Sequence, residues 1–356
     1  MGKYELSLTP DYVPDWTIVE AVREFYQNAI DQGEMFHYYE PDMETLTIGN
    51  KNAVLTANTL LLGGTTKAGD EGKIGKFGEG YKIATLVALR TGHPVTFFNY
   101  GKKEVWRPRF VESRRYGTKI LTFFTEKFTW TTPPDNHLTI TIDNVTLEDY
   151  AQIKEGVLFL QNQGPVHSTQ FGDILLSPEQ AGRLYVEGLF VSLSELTRGY
   201  NIKASHVKLD RDRKMIDSFD AKWISAQMWI DSKSPDIIEL INDKCVDVEY
   251  AGNFKFRVDA DIVDTVHDQF REEHGDKAIP FRRQDQLASI MEEYEDAVPV
   301  HVTETQYELL TVSNSYSITA TPKEQVSQED RLEAWLDKIG DRLTEDEVNE
   351  LLDIFG

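Results

Sequence analysis

VREFYQNAID (residues 22–31) is the stretch on which the reading of this chain turns. Glu24 stands four residues before Asn28, so on a helix both side chains leave the same face one turn apart. Ile18, Val22, Phe25 and Ala29 recur at helical spacing around them, which predicts an amphipathic helix with one buried face. Asp15 or Thr17 can cap that helix, and Glu20, three residues beyond Thr17, completes a capping box. The pair is chemically complementary. A carboxylate can orient and deprotonate an attacking water, and a neutral amide oxygen can join the shell of a divalent cation without adding charge. The same spacing also fits a solvated helix face, so a second feature has to decide.

That feature is GKIGKFGEGYKIATLVA (72–88), where Gly75, Gly78 and Gly80 form G-x-x-G-x-G directly before an apolar helical run. Glycines let the backbone approach phosphates closely, and the amides of the following helix N-terminus supply donors and a positive dipole end. The segment is not a Walker loop, because Tyr81 and Lys82 follow Gly80 where a Lys and a Ser or Thr are needed. Nor is it a dinucleotide fingerprint, whose glycine spacings run in the opposite order.

Taken together, the two motifs resemble the Bergerat ATP site shared by gyrase, heat-shock chaperone, histidine kinase and MutL ATPases, the GHKL superfamily. REFYQNAID is similar to that superfamily's N-box and IGKFGEGYKIATLVA to its second glycine box, in the same order, and the resemblance covers roughly residues 4–145. It implies an α+β fold: a Bergerat-type α/β sandwich with an antiparallel or mixed sheet and helices on one face, binding ATP with Mg²⁺. By the resemblance Glu24 is the general base and Asn28 the Mg²⁺ ligand. Asp31, Gly75, Lys76, Phe77, Gly78, Glu79, Gly80 and Tyr81 then surround the nucleotide. The loop 63–80 would be a lid, and its GGTTK resembles the small-hydroxyl-Lys segment of MORC-like members, bringing in Thr65, Thr66 and Lys67. One element departs. LTIGNKNAVLT (46–56) sets Asn50 where most members carry an adenine-reading Asp, and Asn52 and Val54 where they carry glycines. Asn50 could accept from adenine N6 and donate to N1, or it could simply make the turn.

Outward from these motifs, YELSL (4–8) reads as a strand, LTIGNKNAVLT as two short strands around a polar turn, and YKIATLVALR (81–90) as a helix. PVTFFNY (94–100), KEVWRPRFV (103–111), TKILTFFT (118–125) and HLTITI (137–142) are β-branched and aromatic runs, as expected of an antiparallel sheet. The first domain is expected over residues 1–160. A transducer-like α/β domain over 161–258 would contain the strand runs DILLS, RLYVEGLFVSL and YNIKASHVKL and helices near 217–231 and 235–245. In gyrase and MutL a basic transducer residue reaches the γ-phosphate, and here Lys208, Arg211, Arg213 or Lys214 could do so; the other reading of that cluster is an ion-paired turn with Asp210 and Asp212. The last region, 259–356, is expected to be acidic and mostly helical. Residues 259–295 look helical, 311–328 read as a linker, and EDRLEAWLDKI and EDEVNELLDIF as closing amphipathic helices.

Composition narrows the function classes. With 356 residues and 40% apolar content the chain can build a substantial core. No run approaches the ~18 apolar residues of a membrane span, and residues 1–16 lack a signal-peptide plan, so a cytoplasmic location is expected. The single Cys245 excludes an internal disulfide, and the eight histidines show no paired metal-ligand spacing. The formal charge is −23, and residues 261–356 alone hold 24 acidic against 8 basic side chains. Such a surface disfavours nucleic acid unless a basic patch is locally segregated, and suits a protein partner with a basic face or mere solubility. A histidine kinase is disfavoured because no helix bearing a phosphoacceptor His precedes the motifs; a topoisomerase subunit, because there is no room for a cleavage domain. The expectation is an ATP-driven switch, with an ATP-dependent homodimer by family analogy. The alternative, favoured by the Asn50 departure, is a degenerate, non-hydrolysing Bergerat-fold protein acting on a partner through its acidic C-terminal surface.

Overall fold

The first helix starts where its capping signals stand. Of the two candidate caps the chain uses Thr17, whose hydroxyl accepts from the Val19 amide while Glu20 Oε2 accepts from the Thr17 amide at 2.8 Å. The structure, a computed structural model, describes residues 2–60, 80–131, 137–207, 217–323 and 328–339, with Arg342, Thr344, Asp346 and Glu347. These fall into two units, Met1–Ala251 and Gly252–Gly356.

The first unit opens with β1 (Gly2–Glu5), α1 (Ile18–Gln32), β2 (Met35–Glu40), β3 (Thr45–Asn50), α2 (Gly80–Arg90), β4 (Val95–Asn99), β5 (Glu104–Ser113), β6 (Thr118–Lys127), β7 (Leu138–Ile142) and α3 (Leu147–Glu155). The seven strands form one sheet in the order β1-β6-β5-β4-β7-β3-β2, antiparallel throughout. Alternate side chains of these strands, among them Ile48, Phe97, Trp106 and Phe123, point to one face and pack with Val22, Phe25, Ala84 and Val87 of α1 and α2 in a single buried cluster. Burying each such large apolar side chain stabilises by ~1.5–3 kcal/mol, whereas a good cap contributes ~1 kcal/mol, so packing rather than capping fixes where α1 lies. The expected layering, an antiparallel sheet with helices on one face, is what the chain adopts.

α1 and α2 run antiparallel, and both ends of α2 are tied. At its C-terminal end the Arg90 guanidinium donates to the carbonyls of Pro10, Tyr12, Val13 and Trp16 at 2.7–3.0 Å, which holds the segment leading into α1. At the other end Gly80 rests against the middle of α1. The second strand expected at 53–56 does not form. Instead the buried Asn99 side chain bonds the Leu55 backbone, accepting from its amide at 3.4 Å and donating to its carbonyl at 2.6 Å, and so replaces a neighbouring strand.

The same unit continues with β8 (Val166–Thr169), β9 (Gly172–Leu175), β10 (Arg183–Val186), β11 (Leu189–Leu193), β12 (Gly199–Ile202), α4 (Ser218–Ser232) and α5 (Asp236–Asn242). The strands form a second sheet, β11-β10-β12-β9-β8, mixed because β10 and β12 are parallel. The run RLYVEGLFVSL is two strands rather than one, since Glu187 (φ 49°) and Gly188 (φ 79°) make a tight hairpin turn between β10 and β11. The fully buried Asp247 carboxylate ties this sheet to α4: it accepts from the Thr197 amide and hydroxyl at 2.7 Å, the Arg198 amide at 3.2 Å and the Tyr200 hydroxyl at 2.5 Å. Trp229 of α4 then donates to the same Tyr200 oxygen at 2.8 Å.

The second unit comprises α6 (Ala260–His274), β13 (Ala278–Phe281), α7 (Gln284–Glu293), β14 (Val298–His301), α8 (Glu304–Val312) and α9 (Gln328–Ile339). The helix expected over 259–295 is broken. Gly275 at φ 85° ends α6, and the buried run AIPF pairs in parallel with β14. Residues 311–323 of the expected linker are packed in part, with Ser313 and Ala320 buried and Ser313 donating to Asp264 at 2.8 Å. Most of the last expected helix lies outside the described residues.

Candidate functional site

Glu24 and Asn28 sit on successive turns of α1, Glu24 buried and Asn28 half-buried. The Asn28 amide nitrogen donates to the Glu24 carbonyl at 2.7 Å. That bond commits the NH₂ end and leaves Oδ1 as the acceptor for another group. Against this pair stands the start of α2. A Cβ on Gly80 would overlap Glu24 Oε2 and would lie 3.4 Å from Asn28 Nδ2. Glycine is therefore favoured here by close approach, not by a left-handed backbone. The first amides of an α-helix have no intrahelical acceptor, so the start of α2 brings N–H donors and its positive dipole end up to the Glu24 carboxylate and the Asn28 side-chain amide.

Asn50 closes β3 and is buried, and its amide nitrogen donates to two carbonyls at the end of α1, Ala29 at 2.7 Å and Gly33 at 2.6 Å. Both N–H groups are thus spent on the backbone. The donation to an adenine N1 considered from the sequence has no proton left for it, and only Oδ1 remains to accept. The turn around it is built by Asn52 at φ 53°, whose side chain donates to Glu34 at 2.9 Å.

Asp31 is half-buried on the last turn of α1. Tyr81 lies on the first turn of α2, its hydroxyl donating to the Thr59 carbonyl, and burial pushes its phenol well above the usual range. Thr65, Thr66, Lys67, Gly75, Lys76, Phe77, Gly78 and Glu79 lie outside the described residues, as do Lys208, Arg211, Arg213 and Lys214. Sequence reasoning passed over Lys82, which is fully buried one residue beyond Tyr81. A lysine inside the apolar run YKIATLVA was its signal, because a cation among core residues has to be kept for a partner. An open cleft of about 620 Å³ lies elsewhere in this unit, lined by Tyr150, Lys154, Gln161, Asn162 and Arg183 among others, and no predicted site residue lines it. Among the described residues no group of three or more His, Cys, Asp or Glu is placed to hold a metal ion, and no helix is long and apolar enough to cross a membrane.

No family model matches the chain. By sequence it is similar to an uncharacterized protein of Mycoplasma pneumoniae, 27% identical, the match covering 59% of this chain and 91% of that protein. By structure it is similar to the ATPase region of Saccharomyces cerevisiae topoisomerase II in two crystal structures, one of them bound to ICRF-187 (dexrazoxane), with TM-scores of 0.32 and, for the ICRF-187 complex, 0.33, both at 8% identity. Those matches cover 49% of this chain and 62% of the topoisomerase region, so they span less than two thirds of it.

Proposed function

We propose that the chain binds ATP with Mg²⁺ and hydrolyses it, with Glu24 as general base and Asn28 as metal ligand, and that nucleotide binding acts as a conformational switch. The observation that supports the reading is the seating of Gly80, the last residue of the glycine motif, against Glu24 and Asn28. The residues suit the cation: Asn28 keeps an uncharged oxygen for it, and oxygen donors are what Mg²⁺ takes. Bound there, Mg²⁺ would offset the charge of the terminal phosphates. Glu24 would accept the proton of the attacking water on its carboxylate, with the start of α2 and the glycines before it donating backbone N–H groups to the phosphates. Asn50, with both amide protons spent, would offer the base an acceptor alone. That favours adenine, whose 6-amino group can donate to it, over guanine, whose O6 would meet another acceptor. Asp31, Tyr81, the lid residues Thr65, Thr66 and Lys67, the box Gly75–Glu79, and one of Lys208, Arg211, Arg213 and Lys214 would complete the shell.

The test is calorimetric binding of ATP and GTP with Mg²⁺ alongside phosphate release. Glu24→Ala is expected to lower turnover by at least ~100-fold with ATP affinity retained, the usual range for a lost general base. Loss of binding instead would reassign Glu24 to a structural role. Asn28→Ala should remove the Mg²⁺ dependence of binding. A second reading, a non-hydrolysing Bergerat-fold protein acting on a partner through its acidic C-terminal surface, draws on the change from Asp to Asn50. It predicts no phosphate release from the wild type.

A further inference from the structure

Residues 95–130 hold eight basic and three acidic side chains in a chain whose formal charge is −23. All eight cations are exposed on β5, β6 and the turns at their ends. Two are neutralised: Arg107 pairs with Glu126 at 3.2 Å and Lys127 with Glu104 at 2.9 Å. Lys102, Lys103, Arg109, Arg114, Arg115 and Lys119 form no ion pair among the described residues. Glu112, opposite Lys119 in register, does not bridge to it. Two of the arginines lie against rings instead of carboxylates, Arg109 over Phe124 at 4.1 Å and Arg115 over Tyr116 at 5.4 Å, which orients each guanidinium while leaving its N–H donors for another anion.

The backbone sets Arg114, Arg115 and Lys119 on a two-stranded end that projects past the neighbouring strands of the sheet. β5 pairs with β4 over Glu104–Trp106 only, and the β1 segment bonds β6 no further than Leu121. Past those points Val111–Ser113 and Thr118–Ile120 pair only with each other, and the turn between them carries Arg114, Arg115 and the exposed Tyr116. Three residues per strand leave a free two-stranded end of about 10 Å beyond the sheet, with the basic turn at its tip.

We propose that the β5–β6 ribbon is a docking surface for the phosphate backbone of duplex nucleic acid. The argument rests on charge density. A duplex carries one charge per ~1.7 Å and releases condensed counterions when it is neutralised, whereas an acidic polypeptide carries less than half that density. Along its length the duplex therefore sets about twice the charge of an acidic polypeptide against the same exposed cations. A lipid surface fits less well, since the ribbon end exposes Tyr116 but no broad apolar face to insert.

The experiment uses the full chain and a fluorescently labelled mixed-sequence duplex of ~20 base pairs, read by anisotropy across salt. Four phosphate contacts from Arg109, Arg114, Arg115 and Lys119 predict a log–log salt slope of about −3.6, an affinity loss of ~150-fold between 50 and 200 mM salt. Arg114→Ala/Arg115→Ala/Lys119→Ala should reduce that slope to about −1, while Arg114→Lys/Arg115→Lys keeps it, both with an unchanged melting temperature. An unchanged slope in the triple alanine variant would overturn the proposal. So would absence of binding at 50 mM salt, or equal competition by polyglutamate or phosphatidylserine vesicles at matched charge.

Discussion

Replacing Gly80 with alanine separates the fold's demands from those of the chemistry. A helical Gly→Ala change stabilises by about 1 kcal/mol where the new methyl group meets nothing. Here the methyl would overlap Glu24 Oε2 and approach Asn28 Nδ2 to 3.4 Å. The obstructed atom is the end of a side chain, so the carboxylate moves before α2 does. Glu24 is only 4% exposed, however, and its carboxylate has little room to swing away. Overpacking of this kind costs ~1–3 kcal/mol, which against the propensity gain leaves a net change between about zero and −2 kcal/mol. A reacting group displaced by about 1 Å loses about 100-fold in rate. The variant should therefore melt within a few degrees of wild type and bind ATP with Mg²⁺, yet release phosphate ~100-fold more slowly. Glu24→Asp retracts the carboxylate by one methylene, so the double variant should lose less than the two single effects added together. Gly80→Ala with wild-type turnover and a raised melting temperature would refute the reasoning, because it would mean that the two motifs do not meet at this point.

Other perturbations probe the supports of the site. Asn50→Asp, which restores the superfamily's usual residue, should destabilise by ~2–4 kcal/mol in urea titrations, because a buried carboxylate would face the Ala29 and Gly33 carbonyls with no proton to give. Asp247→Asn puts an NH₂ group where four donors now converge and should cost ~2–4 kcal/mol by the same measurement. Burial raises the Glu20 and Asp149 carboxyls, but the hydroxyls and amides of Thr17 and Thr146 outweigh it and hold both below their ordinary values. Their stabilisation is thus complete above the unfolded carboxylate range and is lost as pH falls through the lowered folded values, giving a drop in melting temperature below about pH 4. Glu20→Gln with Asp149→Asn should flatten that drop.

The parts of the fold legible in the sequence are those whose cause is local. Thr17 and Glu20 sit three residues apart, and the apolar stripe of α1 needs only its own period. The glycine run implied close backbone approach to phosphates; Gly80 lies instead against the Glu24 carboxylate, and Gly75 and Gly78 fall outside the described residues. What sequence missed depends on distant backbone. AVLT alternates like a strand, but its potential partner is the Asn99 side chain, which no local pattern encodes. Asn50 read as a turn residue or a base reader because its acceptors, Ala29 and Gly33, are carbonyls some twenty residues away. AIPF was absorbed into a charged helical stretch although Gly275 and a proline both mark a break, a sign the periodicity overrode.

Charge was the most misleading quantity to average. A value of −23 suggests an anion-repelling body, and residues 261–356 supply most of it. Screening, however, limits exposed charges to a range of about 8 Å at physiological ionic strength, so a ligand senses the patch it touches and little else. On that scale the β5–β6 ribbon is cationic, with six exposed cations that have no carboxylate partner among the described residues. The start of α2 is likewise a local positive end set beside Glu24, whatever the sign of the whole chain. Both proposed anion sites belong to the first unit and would act through different groups, exposed side-chain charge in one and backbone N–H groups at a helix start in the other. They should therefore respond differently to salt: duplex affinity should collapse with ionic strength, while nucleotide held by backbone amides should be far less sensitive.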